Sequence, residues 1–431
     1  MASNRKRDDL LKLLPTLRKP ALGCTEIGAI ALATAAASEQ LSNKLIRVDV
    51  VVSPYIYRNV ISVGVPKLGR PGVKGIAAGG MIIANTRKKL AILSDLKKSD
   101  VAKVNSIVSN NIIHVSVPLN VDHVYVLATI KDIKGNVAEA LIKGTHDNIA
   151  YVKVNGKIIN NSGVDHIQTN IAHWNVDNYS LEDIYQACQS FTAKDINFLK
   201  EDIIMNKKIV DYGLKVDPHT SFTKAVDLAS QKDGLASWKL EILRNVNAGI
   251  DARMTGCHLP VMTSSDSGDH GLTVVIPQYI YAQECKITEL KMLQGLAFAH
   301  LLCWVIKQRI GSLSTYCGSV IAAATATVAG IMFQRDNDVR AMNRLINMCM
   351  VSNGGALCDG AKLSCTYKVL AALMSNFLAL NLAEAHGHVN KHEGISGINA
   401  FDTIKNIGVL SKSVSGRTTE TIIKIINSIK K

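Results

Sequence analysis

The chain has 431 residues, 47% of them hydrophobic, enough for a sizeable core divided over two or three domains. Its net charge of +14 is scattered in pairs such as Lys88 and Lys89, and with 5% aromatic residues there is neither a basic stripe nor a stacking platform, which argues against a nucleic-acid partner. Nine cysteines, an odd number, and an N-terminus without a secretory signal pattern lead to the expectation of a cytoplasmic protein whose thiols stay reduced.

In chain order, helices are expected at residues 7–17 and from Thr25 through an alanine-rich run, forming an N-terminal unit, residues 1–41. Cys24 then stands at a helix start, where exposed N–H groups and the positive end of the helix dipole lower a thiol's pKa. Thr25 and Glu26 fill first-turn positions that hydroxyl and acidic residues favour. Period-two alternation predicts strands at 46–52, 112–117, 123–130, 136–142 and 149–154, with turn signals at Pro118-Leu-Asn, Lys134-Gly-Asn and Asn155-Gly. A glycine-punctuated helix at 72–85 interrupts them, so residues 42–178 read as an inserted α+β domain.

Residues 179–431 read as helical almost throughout, opening with Ser180 and Asp183 as a variant capping box. Helices are predicted at 180–191, 195–211, 221–231, 237–252, 290–308, 314–333, 338–351, 361–385 and 418–428. The fold class is therefore α+β, a mostly helical catalytic body with a smaller α+β domain inserted. Residues 310–334 carry no charge, but their many serines, threonines, alanines and glycines suit a buried helix better than a lipid-facing one, so no membrane association is expected.

Three cysteines, Cys317, Cys358 and Cys365, lie in glycine- and alanine-rich segments of this body, with Cys358 in a flexible loop and Cys365 about a turn inside the following helix. Three thiolates without a fixed fourth partner suggest a metal cluster with one iron open to substrate, a Lewis-acid arrangement. The loop from Ser264 to Thr273, placed between a helix and an apolar strand, offers hydroxyls, glycines and backbone N–H groups to a carboxylate. Lys362 and Lys368, flanking Cys365, read either as positive charge for the same carboxylate or as solvated lysines. Cys257 and His258 lack the second pair that a zinc site needs, Cys188, Cys285, Cys303 and Cys349 fit apolar faces, and His386, His388 and His392 fit a helix end.

Several ordered motifs carry a resemblance through most of the chain. They are Pro20-Ala-Leu-Gly-Cys-Thr-Glu, Asn59-Val-Ile-Ser-Val-Gly-Val-Pro, Ala252-Arg-Met-Thr-Gly-Cys-His-Leu-Pro-Val-Met, Ser267-Gly-Asp-His-Gly, Tyr316-Cys-Gly, Cys358-Asp-Gly-Ala-Lys-Leu-Ser-Cys and Gly394-Ile-Ser-Gly. With them the sequence resembles the L-cysteine desulfidase family and its relative, the catalytic alpha portion of bacterial iron–sulfur L-serine dehydratase. The resemblance implies that Cys317, Cys358 and Cys365 hold a [4Fe-4S] cluster and that Cys24 is the catalytic cysteine. It places substrate binding on Thr25 and Glu26 and on the loop residues Ser265, Ser267, Gly268, Asp269 and His270. Asp269 and His270 stand where relatives usually have Asn and Gln, and Ile27 where a proline is common.

The six residues between Cys358 and Cys365, and the Gly-Cys-Thr-Glu motif, look like the desulfidase branch. The reaction this implies is β-elimination, in which open iron turns the substrate sulfur into a manageable leaving group while a base removes the α-proton, giving pyruvate, ammonia and hydrogen sulfide. Cys24 would be that base or an iron ligand displaced by substrate, and no pyridoxal phosphate is implied. The expected partner is a small amino acid, with a homodimer as the assembly considered. L-serine dehydratase is the alternative activity, and a non-catalytic amino-acid-binding protein on the same scaffold is the second.

Overall fold

The computed structural model describes residues 2–69, 71–161, 174–215, 226, 237–311 and 313–429. The helix expected at 221–231 lies, apart from Val226, outside them. Helix α1 (Ala2–Leu13) passes into a 3-10 turn at Leu14–Leu17, where Pro15 removes a helical N–H. Strand β1 (Pro20–Ala21) follows, then α2 (Thr25–Ser38), buried along its whole length.

The inserted region holds one mixed sheet. Strands β2 (Leu45–Val52), β3 (Ile113–Ser116), β4 (Tyr125–Asp132), β5 (Val137–Lys143), β6 (Ile149–Val154) and β7 (Lys157–Asn161) run in the order β3-β2-β4-β5-β6-β7, parallel only between β2 and β3. The inward residues of β2 and β4, Val48, Val50, Val52, Val126, Ala128 and Ile130, are fully buried, as their alternation predicts. Strand β7 went unread because its residues beyond the Asn155-Gly156 turn face solvent and carry no alternating pattern. The alanine-rich α2 slots between the sheet, at β4 and β5, and helix α4 (Gly72–Ile83). Two more helices belong to this region, α3 (Pro54–Val60), capped by Ser53, and α5 (Asp100–Ser109).

The body is helical. Helix α6 (Leu181–Ser190) opens with the reciprocal capping box between Ser180 and Asp183. Then come α7 (Ala193–Ile196), α8 (Lys200–Lys215), α9 (Ser237–Met254), α10 (Gly268–Glu284), α11 (Glu289–Ile310), α12 (Ala324–Gln334), α13 (Val339–Asn353), α14 (Cys365–Glu384) and α15 (Ala400–Ile429). Helix α11 packs on α10, α12 and α15, and α14 packs on α12 and α13. Helices α11 and α14 are long and apolar enough to cross a membrane by length and composition, but 83% of the apolar window of α11 is buried inside the fold, which marks it as a core helix.

Four expectations need correction. The segment after the Ser264 loop is helix α10, not a strand, and the strand β8 (Val261–Met262) precedes the loop, pairing with β1. The β-branched run before Pro277 mimics a strand, yet burial of nearly all of α10 outweighs that propensity. The helix predicted at 314–333 begins only after Cys317, and its first stretch, Ser319–Ala323, is a π-helix. Cys365 is the first residue of α14 rather than a turn inside it, because Gly360 with φ +106° and the turn after it delay the helix. The terminal helix runs from Ala400, far ahead of residue 418. Its Ser411-Lys-Ser-Val-Ser-Gly stretch has weak helix propensity, but the packing of α15 on α11, α13 and α3 holds it helical.

Candidate active site

The two loops of the body that carry Cys317 and Cys358 are paired through their backbones. Cys317 N–H donates to the Ala356 carbonyl at 2.8 Å and Cys358 N–H to the Thr315 carbonyl at 2.7 Å, an antiparallel bridge centred on Tyr316 and Leu357. That pairing sets Cys317 beside Cys358. Gly360 carries the chain on towards Cys365, and its left-handed φ and its approach to the Arg58 carbonyl, where a Cβ would lie at 2.3 Å, admit only glycine. Cys365 then reaches back, its thiol 3.6 Å from the Gly360 carbonyl.

All three thiols line one cavity of about 90 Å³, together with Cys24, Thr25 and Glu26 from the start of α2 and Ser265, Ser267, Asp269 and His270 from the loop before α10. The sequence-predicted residues therefore converge, with three exceptions. Gly268 lies behind this wall, its Cβ position against the Arg253 side chain. Lys362 and Lys368 are absent from the lining, and both donate to Asp359 at 2.5 Å outside it. Local sequence could not show that a single aspartate takes both ammonium groups.

The cavity's cations come from elsewhere. Arg253, buried on α9, donates through Nη1 to Asp269 at 2.7 Å and through Nη2 to the Gly23 carbonyl at 2.7 Å, tying the α10 loop to the residue before Cys24. Lys307 lies buried near the end of α11, with Cys303, Cys317, Cys358 and Asp266 as its charged or ionisable neighbours. Arg58, on α3, donates to the Ser314 carbonyl at 2.7 Å and so braces the loop that carries Cys317. Asn59 and His146 complete the wall from the inserted region. Asn59 and Arg253 lie inside the motifs that carry the resemblance, whereas no local signal singles out His146 or Lys307, which shares its helix with Glu289, Lys291 and Arg309.

Glu26 is the hub of the α2 end. Its Oε2 accepts from the Cys24 thiol at 2.5 Å and the Thr25 hydroxyl at 3.0 Å, and its Oε1 from Asn59 Nδ2 at 2.5 Å. Burial pushes its pKa up, but the neighbouring His146 and the donors Cys24 and Asn59 outweigh that and hold it at about 2, against an ordinary 4.5. The expectation of an activated Cys24 thiolate does not hold in this environment. Cys24 is the N-cap of α2, as predicted, but burial first and the Glu26 charge second push its thiol well above the usual value, and Arg253 only partly opposes them. At His270, Nδ1 meets the Ser264 carbonyl at 3.2 Å, while burial and Lys307 drive the pKa to about 3, so the ring is neutral. Its Nε2 is so close to Gly318 that a Cβ there would lie at 2.5 Å, which explains glycine next to Cys317.

A pH dependence follows from Glu26. Its folded pKa lies below its unfolded one, so its contribution is present above about pH 4.5 and is lost as pH falls through about 2. The difference corresponds to about 3 kcal/mol. Urea unfolding from pH 6 down to pH 2.5 is expected to show this loss in the wild type and not in Glu26→Gln. Parallel curves for the two proteins would remove Glu26 from the account.

The remaining cysteines serve packing, with one exception. Cys188, Cys303 and Cys349 are fully buried and Cys257 nearly so, but Cys285 caps α10 at the surface and is exposed, contrary to the expectation of a core position. His386 and His392 lie in the segment after α14 with left-handed φ values. Among the described residues no three His, Cys, Asp or Glu side chains converge tightly enough for a single metal ion. The donor set does fit a polynuclear iron–sulfur group, which takes its thiolates from separate corners. Cys317 feels the charge of Cys358, Cys365 feels that of Cys317, and all three face a common space.

Relatives cover nearly the whole chain. A UPF0597 protein of Alkaliphilus oremlandii is 31% identical over 428 residues, 97% of this chain and 98% of the relative. One from Finegoldia magna is 32% identical over 395 residues, 91% and 93% of the two chains, and one from Clostridioides difficile is 28% identical over 426 residues, 98% and 100%. The serine dehydratase alpha chain family matches residues 87–424, which contain the loop before α10 and all three clustered cysteines. The chain belongs to that family of lyases.

Proposed function

We propose that the protein is an iron–sulfur-dependent lyase that eliminates the β-substituent of L-cysteine, yielding pyruvate, ammonia and hydrogen sulfide. The observation that carries this reading is the shared cavity in which Cys317, Cys358 and Cys365 face Cys24 and its Glu26 partner. These three residues would hold a [4Fe-4S] cluster, which when bound supplies a Lewis acid for the departing group. The protein itself supplies the rest. The buried Lys307 and the Ser265 hydroxyl suit the carboxylate, and Asp269 with neutral His270 suits the amino group.

Serine is the second reading, favoured by the family match. Cys24 beside Glu26, in the motif shared with the desulfidase branch, weighs towards cysteine. The test is anaerobic purification with iron and acid-labile sulfide analysis, followed by pyruvate and sulfide assays on both amino acids. The expected result is a brown protein that forms sulfide and pyruvate from cysteine faster than pyruvate from serine. Full turnover in iron-free protein would overturn the reading. Binding without turnover in cluster-loaded protein would mark an amino-acid-binding protein instead.

A further inference from the structure

Among the described residues that line this cavity, the imidazole of His146 is the polar group delivered by the six-stranded sheet. It sits in the loop between β5 and β6, only 4% exposed, and Thr145 and Asp147 on either side pin that loop. Asp147 accepts from the Thr145 hydroxyl at 3.0 Å and from Lys19 Nζ at 3.3 Å, on the segment that leads to Cys24. Its Nε2 is buried with no hydrogen-bond partner and lies 4.0 Å from Glu26 Oε1. A buried ring nitrogen left unpaired costs stability, and here a well-braced loop holds it against the substrate cavity.

From this geometry we infer that His146 is the base that takes the α-proton of the amino acid. The inference rests on the elimination reading. The α C–H bond breaks and its electron pair forms the Cα=Cβ bond, while the Cβ–S bond breaks and sulfur leaves with its own pair. The proton passes to Nε2. The imidazolium so formed stands beside the Glu26 carboxylate, which stabilises the charge as it develops. Cys24, whose thiol donates to that same carboxylate, holds a proton where a base must hold a lone pair. This assignment gives the inserted region a direct part in catalysis.

Three measurements on the anaerobically prepared holoenzyme with L-cysteine test the role, alongside wild type. In His146→Gln, kcat is expected to fall by roughly 10²–10⁴-fold, with KM changed by less than about threefold. Free imidazole should restore part of the activity of His146→Ala, where it has room to bind, and leave His146→Gln unchanged. Substrate deuterated at the α-carbon should show a larger isotope effect in His146→Gln than in wild type. A fourth measurement needs no cluster, because the metal-free His146→Gln chain should melt at or above the wild-type temperature if the unpaired ring is kept for function rather than for stability. Wild-type-like kcat in His146→Gln overturns the assignment, and so does a loss that imidazole fails to restore in His146→Ala. A wild type inert towards both cysteine and serine is a different failure, sinking the elimination reading itself and this role with it.

Discussion

Replacing Cys358 by alanine is expected to abolish turnover and to strip the reconstituted protein of most of its iron and labile sulfide. The thiol is the only part of Cys358 the chemistry needs. Its backbone N–H stays bound to Thr315, and the reciprocal bond from Cys317 to Ala356 is untouched, so the ligand loops keep their course in the variant. Removing one of three donors leaves too few thiolates for a cluster, whereas Cys349→Ala, a fully buried packing change on α13, should cost about 1 kcal/mol and leave iron content as in wild type. Cys317→Ala and Cys365→Ala should behave like Cys358→Ala. Iron and sulfide per chain, measured beside visible absorption and pyruvate formation, decide the matter, and a coloured, active Cys358→Ala protein would refute the ligand assignment.

What the sequence could convey was set by how local each signal is. Five of the strands of the sheet, β2 to β6, and the start of α6 carry their information within a few residues, as alternation at Val48, Val50 and Val52 and as the Ser180–Asp183 cap, and both appear where expected. The N-cap position of Cys24 was equally local. Its protonation was not, because burial and the Glu26 carboxylate, two features of the folded environment, reverse the influence of the helix end. The same contrast separates Lys362 and Lys368, adjacent to a ligand in sequence yet taken by Asp359, from Arg253, which is bound to the carbonyl of Gly23 across 230 positions. Helix α15 shows the converse, a segment of weak propensity held helical by neighbours far along the chain.

Arg253→Met should be the most destabilising single change at this site. The guanidinium is almost wholly buried and is the partner of an almost wholly buried Asp269, so its loss strands a carboxylate in the interior and frees the Gly23 carbonyl as well. Breaking such a pair from one side costs about 3–5 kcal/mol. Burial already pushes the Asp269 pKa up, and Arg253 is the charge that opposes it, so in the variant the Asp269 pKa is expected to rise further. Adding Asp269→Asn removes the stranded charge, and the double variant should recover most of the lost stability, a coupling that a double-mutant cycle in urea reads directly. Activity should not follow. The tie between the α10 loop and the residue preceding Cys24 is gone in both proteins, so a stable double variant that remains inactive separates the positioning role of Arg253 from its structural one. A single variant within about 1 kcal/mol of wild type would show that the pair does not hold this part of the fold together.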